Sequence, residues 1–168
     1  WTLPTEDVLA DAGDGVQILL RATWQPGDRA SRPAVVLVHG LGGWDMAAYG
    51  LATGMLAYEL GWHVVRMNMR GAGDSARVYA GLYNAGLDLD LIAALDSVAA
   101  HTPRVAVIGF SLGANLALLA VGRSGHLVPR PVERVVAVSP PLDLAACVAN
   151  LEKLENRVYQ EYFMRNLR

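Results

Sequence analysis

The segment Gly109-Phe110-Ser111-Leu112-Gly113 constrains the fold of this chain more than any other feature. It follows an apolar run at 104–108 that predicts a strand, and it precedes an apolar run at 114–120 that predicts a helix. G-x-S-x-G between a strand and a helix is the pattern of a nucleophile elbow, in which glycines two residues before and after the serine permit a tight turn. Ser111 is therefore the candidate nucleophile, presented at the carboxyl edge of a sheet.

Apolar runs of strand length alternate with helical segments along the chain. A half-exposed strand is predicted at 16–24 with a hairpin partner near Val8, and strands buried on both faces are predicted at 34–38, 62–67, 104–108 and 134–138. Helices are predicted at 47–60, 84–100 and 111–121 and from Leu144 onward. This alternation predicts one α/β domain over residues 1–168, with a mostly parallel sheet, helices on both faces, and ligands at the carboxyl ends of the strands.

Composition narrows the class of protein. Hydrophobic residues make up 53% of the chain and charged residues 18%, and the mean hydropathy is +0.27, which favours a large buried sheet or a surface that another part of the protein covers. The net charge of −2 gives no basic footprint, so no nucleic acid partner is expected. Cys147 is the only cysteine and the N-terminus shows no signal-peptide pattern, so we expect a cytoplasmic protein without an internal disulfide.

An uncharged run of 18 residues at 105–122 has the length of a membrane span. Ser111, Asn115 and three glycines interrupt it, and its periodicity changes from strand-like to helical at Ser111. An elbow followed by a buried helix explains this run, so no transmembrane segment is predicted.

Residues 71–76 match G-x-G-x-x-A after a strand, which is the pattern of a dinucleotide-binding turn. That alternative needs a helix directly after the glycines, whereas 77–86 carries glycine, asparagine and tyrosine without an amphipathic period. We therefore expect no dinucleotide there. The sequence shows no metal-ligand cluster or phosphate loop either, so no cofactor and no metal are predicted.

A second glycine-rich turn, His39-Gly40-Leu41-Gly42-Gly43, follows the buried strand at 34–38. Such a turn can aim a backbone N–H at the space above Ser111, and the N–H of Leu112, at the positive end of the elbow helix, supplies a second donor. The turn therefore looks like half of an oxyanion hole. A glycine-rich loop with a packed histidine is the alternative.

A serine nucleophile needs an imidazole within hydrogen-bond reach and an acid that orients it. The only histidine after Ser111 is His126, which is expected about 15 Å away at the far end of the elbow helix. His63 and His101 precede strands and so lie at the opposite edge, and a structural role is favoured for His39 in the glycine-rich turn.

Asp143 follows the last predicted strand at the correct edge and is a weak candidate for the orienting acid. An N-cap of the helix that begins at Leu144 is the favoured interpretation of this residue. No complete triad can be assembled from these residues.

Five segments carry a resemblance to the α/β-hydrolase superfamily, and within it to the YheT-like branch of esterases and lipases. They are residues 39–43, 68–75, 109–115, 139–144 and 156–163. The resemblance extends from about residue 16 to residue 168, and its last segment is the most specific to the branch. One small departure is Asn84, where relatives often carry histidine.

The resemblance implies an α/β-hydrolase fold and a serine hydrolase that acts on carboxylic esters, with a small-molecule or lipid ester as substrate and a place in lipid metabolism. It implies that Ser111 is the nucleophile and that the N–H groups of Leu41 and Leu112 bind the oxyanion. Members of the branch continue through two further strands, after which they carry the catalytic acid and histidine. We therefore expect a partial domain, truncated before those strands, in which about 144–168 begins the segment leading to them.

Two alternatives to an enzyme remain open at this point. One alternative is a non-catalytic binding protein that keeps the hydrolase sheet, and the other is an inactive fragment. A sheet that ends after residue 138 leaves a buried-type strand at its edge, so self-association through that edge is also expected.

Overall fold

A computed structural model describes residues 1–79 and 81–166. Its strands are β1 Glu6–Asp11, β2 Gln17–Thr23, β3 Ala34–Val38, β4 His63–Met67, β5 Val105–Phe110 and β6 Val132–Val138. Its helices are α1 Ala48–Glu59, α2 Asp88–Ala99, α3 Leu112–Arg123, α4 Leu144–Leu151 and α5 Arg157–Asn166. Residues 167 and 168 of the predicted helical tail lie outside the described residues.

The six strands form one sheet in the order β1-β2-β4-β3-β5-β6. β1 and β2 pair in antiparallel fashion, as the hairpin prediction requires, and β2 pairs antiparallel with β4. β4, β3, β5 and β6 are mutually parallel, so their carboxyl ends share one edge. The segments that begin at His39, Asn68, Ser111 and Ser139 therefore all leave the sheet at that edge.

Helices cover both faces of the central strands. α2 and α3 pack on the face that presents Val36, Val38 and Val65. The opposite face presents Val35 and Leu37, and α1 packs there. Successive residues of a strand point to opposite faces, so a strand covered on both sides must be apolar throughout. This requirement explains why β3 is apolar at every position, which is the pattern that predicts it from the sequence.

Two local predictions from the sequence need correction. The helix expected at 84–100 begins at Asp88, because the side chain of Asn84 accepts a hydrogen bond from the Gly86 amide (2.8 Å) and holds the preceding residues in a turn. A short 3-10 helix spans Gly73–Arg77, where no helix was expected. Because it is a 3-10 helix of only five residues, it does not provide the α-helix that a dinucleotide motif requires.

β6 and the two helices after it expose much apolar surface. A third correction concerns the strand predicted as buried at 134–138, because β6 forms one end of the sheet and none of its residues is buried. Val136 and Val138 are 47% and 39% exposed. In α4 and the described part of α5 no residue is buried, and Leu154 between them is 85% exposed. Self-association through the β6 edge stays a prediction. None of the helices within residues 1–79 and 81–166 has the length and apolar character needed to cross a bilayer.

Candidate active site

Ser111 forms the sharp turn between β5 and α3. Its φ of +50° and ψ of −115° are rare for a residue with a side chain, and such strained residues cluster at functional sites. Its amide donates to the Val138 carbonyl oxygen (2.9 Å), and its carbonyl oxygen accepts from the Ala114 and Asn115 amides (2.9 and 3.0 Å). The residue is exposed, so the strained turn presents its hydroxyl at the carboxyl edge of the sheet.

The two glycines of the elbow are required by close backbone contacts. A Cβ atom on Gly109 would overlap the backbone of Gly113. A Cβ atom on Gly113 would lie 2.5 Å from the Val38 carbonyl oxygen and closer still to that of His39. The start of α3 therefore packs directly on the end of β3, which brings the glycine-rich turn beside the serine.

The glycine-rich turn, residues 39–43, contacts the elbow through Gly40. A Cβ atom there would lie 3.1 Å from the Ser111 Cβ. The amides of Leu41 and Leu112 donate no hydrogen bond to any atom within residues 1–79 and 81–166. Leu112 also begins α3, where the helix dipole is positive. Two unpaired backbone donors therefore belong to the two segments that meet at Ser111.

His39 is buried and both of its ring nitrogens have partners. Nε2 accepts a hydrogen bond from the Met69 amide (3.1 Å), so the proton is on Nδ1, which donates to the Gly40 carbonyl oxygen (2.8 Å). Burial lowers the pKa of His39 to about 4, against weaker opposing effects of Gly40 and Asp45. A neutral ring with both nitrogens engaged agrees with the structural role that the sequence favours.

Acidic pH should lower the stability of the fold, because His39 is buried as a neutral ring. The folded pKa lies below the unfolded value of 6.5, so the unfolded chain binds the extra proton between pH 6.5 and 4. Stability should be complete above pH 6.5 and fall as the pH drops toward 4, with a contribution from His39 of roughly 3 kcal/mol. Urea unfolding from pH 7.5 to 4 measures it, and His39→Gln should flatten the slope. An unchanged slope in that variant contradicts the assignment.

The other three histidines lie away from Ser111, as expected. His63 begins β4 at the opposite edge, where its Nδ1 accepts from the Gln25 amide (2.8 Å). His101 follows α2 and contacts Trp24 edge-on, with ring centroids 5.9 Å apart. His126 is exposed after the 12 residues of α3, a helix about 18 Å long. The chain's four histidines thus leave Ser111 without an imidazole.

Asp143 caps α4. Its Oδ1 accepts a hydrogen bond from the Ala146 amide (2.9 Å), and its extended backbone is that of an N-cap residue. The capping interpretation is confirmed, and such a cap contributes about 1 kcal/mol to helix stability. Asp143 is exposed, and its carboxylate makes no hydrogen bond to a histidine in the part of the chain that the structure describes.

A buried polar cluster, formed by Asp45, Arg66 and Asn68, was not predicted from the sequence. Asp45 and Arg66 lie 3.6 Å apart and are almost inaccessible to solvent. Asn68 accepts from the Asp45 amide and donates to its Oδ1, both at 2.9 Å. Arg66 also donates to the Asp45 carbonyl oxygen (3.1 Å). These bonds tie the chain just after the turn to the end of β4. The sequence signal is Arg66 itself, a charge within an apolar strand.

Sequence reasoning also missed two tyrosines that bind the turn. The Tyr49 hydroxyl, at the start of α1, accepts from the Gly40 amide (2.9 Å). The Tyr83 hydroxyl accepts from the Gly42 amide (2.6 Å). A pocket of about 320 Å³ is lined by Leu41, Trp44, Tyr49 and Tyr162, among other residues. No group of three or more histidines, cysteines, aspartates or glutamates within residues 1–79 and 81–166 could hold a metal ion.

The sheet order, the elbow and the helices on both faces define the class of protein as an α/β-hydrolase. A model described as "Alpha/beta hydrolase family" matches residues 35–165, and the chain belongs to that family. It is 32% identical over 159 residues to the Escherichia coli K12 protein named "Putative esterase YheT", covering 92% of this chain and 46% of that protein. It is 29% identical over 141 residues to "Embryogenesis-associated protein EMB8" of Picea glauca, covering 81% and 30%.

The chain therefore spans less than half the length of these relatives. Among solved structures, the Pyrococcus furiosus esterase Pf2001 superimposes with a TM-score of 0.71 at 21% identity, covering 96% of this chain and 64% of that one. Est1E from Butyrivibrio proteoclasticus superimposes with a TM-score of 0.66 at 15% identity, covering 88% and 56%. At these identities the structures show the shared fold, and the relatives place the chain in an esterase-like family.

Proposed function

We propose that the protein containing this chain is a serine hydrolase of carboxylic esters, with Ser111 as its nucleophile and the N–H groups of Leu41 and Leu112 as its oxyanion hole. The observation that carries the proposal is an exposed serine with a strained backbone. It lies where the glycine-rich turn meets the start of α3, and each of these two segments holds an unpaired backbone amide. The similarity to a protein named as an esterase supports the proposed class of reaction.

In the proposed reaction, the Ser111 oxygen bonds to the ester carbonyl carbon as its proton passes to a base. The carbonyl oxygen gains negative charge, and the two backbone N–H groups stabilise it. Collapse of the tetrahedral intermediate breaks the bond to the alcohol, which leaves with the proton. Water then attacks the acyl-enzyme and releases the acid. The overall reaction converts one ester and one water into an acid and an alcohol, and it requires no cofactor.

The base and its orienting acid are proposed to come from sequence outside this chain. All four histidines of the chain have positions or partners that separate them from Ser111, and Asp143 is occupied as a helix cap. The YheT-like branch that the chain resembles carries these groups after two further strands, and the chain covers 46% of its YheT relative. A small-molecule or lipid ester is the proposed substrate.

One observation favours the alternative of a non-catalytic binding protein. None of the chain's histidines can activate Ser111, and the α/β-hydrolase fold alone does not fix a function. The strained, exposed serine argues for the enzyme, because a binding protein has no need of a nucleophile held at a positive φ.

Labelling of Ser111 tests the proposal. This chain is joined to the part of Escherichia coli YheT that follows the matched region, and the chimaera is treated with a fluorophosphonate. We expect rapid modification, mapped to Ser111 by peptide mass spectrometry, and only slow modification of the chain alone, because an unassisted hydroxyl is a weak nucleophile. A folded, soluble chimaera that is neither labelled nor able to hydrolyse nitrophenyl esters supports the binding protein instead.

A further inference from the structure

We propose that Tyr49 and Tyr83 are positioning residues that clamp the glycine-rich turn and leave the Leu41 N–H as its free donor. The inference rests on the proposed function, since it assigns the N–H that the turn contributes to the oxyanion hole. The two tyrosines come from different parts of the chain. Tyr49 lies at the start of α1, and Tyr83 lies in the loop before α2.

The hydrogen bonds of the turn follow a simple pattern along the chain. The Gly40 amide donates to the Tyr49 hydroxyl at 2.9 Å, and the Gly42 amide donates to the Tyr83 hydroxyl at 2.6 Å. The Gly43 amide donates to the Gly40 carbonyl oxygen at 3.0 Å. Of the four amides from Gly40 to Gly43, only that of Leu41 has no partner among the described residues.

Each tyrosine is itself held by an aromatic contact. The Tyr49 ring packs against Phe110, with centroids 4.6 Å apart, and Phe110 directly precedes Ser111. The Tyr83 ring packs edge-on against His39, with centroids 5.6 Å apart and the planes at 88°. Tyr49 therefore joins the turn to the residue before the nucleophile, and Tyr83 holds the turn at both His39 and Gly42.

The close approach of Tyr49 to the turn depends on a glycine. A Cβ atom on Gly43 would lie 2.9 Å from the Tyr49 oxygen, so the bare glycine is what allows the phenol to approach. Burial raises the pKa of Tyr83, so its hydroxyl stays protonated at neutral pH and accepts the Gly42 N–H through a lone pair. Because the Gly40 and Gly42 amides are hydrogen-bonded to the two tyrosines, the peptide groups on either side of Leu41 cannot rotate freely.

Phenylalanine at either position keeps the ring packing and removes the acceptor. The freed glycine amide must then turn toward water, and the Leu41 peptide turns with it. Loss of a whole oxyanion donor costs about 10²–10³ in kcat, so we expect about a tenfold fall for Tyr49→Phe or Tyr83→Phe and a fall nearer 10² for the double variant. KM should change little, because the oxyanion exists only in the transition state.

The kinetic test uses the full-length gene product that contains this chain, with a nitrophenyl ester as substrate. Tyr58→Phe is the matched control, since Tyr58 is also on α1 and half-buried, and its phenol makes no hydrogen bond among the described residues. A boronic acid that forms a tetrahedral adduct on Ser111 should lose affinity in parallel with kcat in the two clamp variants. Unchanged kcat and boronate affinity in the double variant overturn the clamp.

Amide hydrogen exchange tests the clamp without reference to catalysis. In protein labelled with ¹⁵N-glycine and ¹⁵N-leucine, the Gly40 and Gly42 amides should exchange much more slowly than that of Leu41. Tyr83→Phe should accelerate exchange at Gly42 by about tenfold and leave Gly40 unchanged, and Tyr49→Phe should do the converse. Equal exchange at all three amides overturns the clamp. Wild-type protein with protected glycines but no Ser111-dependent hydrolysis instead overturns the proposed function.

Discussion

Replacing Ser111 with alanine should lower kcat/KM for p-nitrophenyl butyrate by a factor on the order of 10⁴ to 10⁶ in the chimaera with the YheT segment. The variant loses the atom that forms the acyl-enzyme, while the two backbone donors remain. What survives is therefore the small acceleration that binding and the oxyanion hole give alone. The rate is followed by nitrophenolate release at pH 8, and the circular dichroism of the variant is recorded beside that of the parent.

His126→Ala is the matched control for this experiment. His126 is exposed beyond the far end of α3, so its removal should change kcat/KM by less than about twofold. A large loss in His126→Ala would mean that the loop after α3 lies near the elbow. Full activity in Ser111→Ala would show that the hydrolysis has another origin, and the serine mechanism would be abandoned.

Gly113→Ala should strongly lower the stability of the fold. The new Cβ would lie 2.5 Å from the Val38 carbonyl oxygen and nearer to that of His39. Both atoms belong to the backbone at the end of a buried strand, so they can move only by disturbing the pairing of β3 with β5. We expect a loss of about 3 kcal/mol or more in the free energy of unfolding, measured with urea.

The control for this substitution lies on the same helix. A Cβ atom on Gly122, near the end of α3, would meet nothing within 4 Å. Alanine there should raise stability by up to about 1 kcal/mol, because alanine is the better helix former. If the two alanine variants unfold at the same urea concentration, close packing of α3 on β3 is contradicted.

Motifs and apolar runs made the sheet and the elbow predictable from sequence. Parallel strands covered on both faces must be apolar at every position, and a nucleophile elbow is encoded within five consecutive residues. The start of α2 was misjudged because a turn at Asn84 and Gly86 delays it to Asp88. Tyr49 and Tyr83 could not be found, since their bonds to the turn span 9 and 41 residues and no local pattern marks them.

The hydrogen bond from the Ser111 amide to the Val138 carbonyl oxygen also sets an order of events during synthesis. The serine's strained backbone has a hydrogen-bond partner that is translated 27 residues later, at the end of β6. While β6 is still within the ribosome, the serine lacks this hydrogen bond, which helps to offset the cost of its unfavourable conformation. We therefore expect the nascent chain to reach the strained conformation at Ser111 only after β6 has docked.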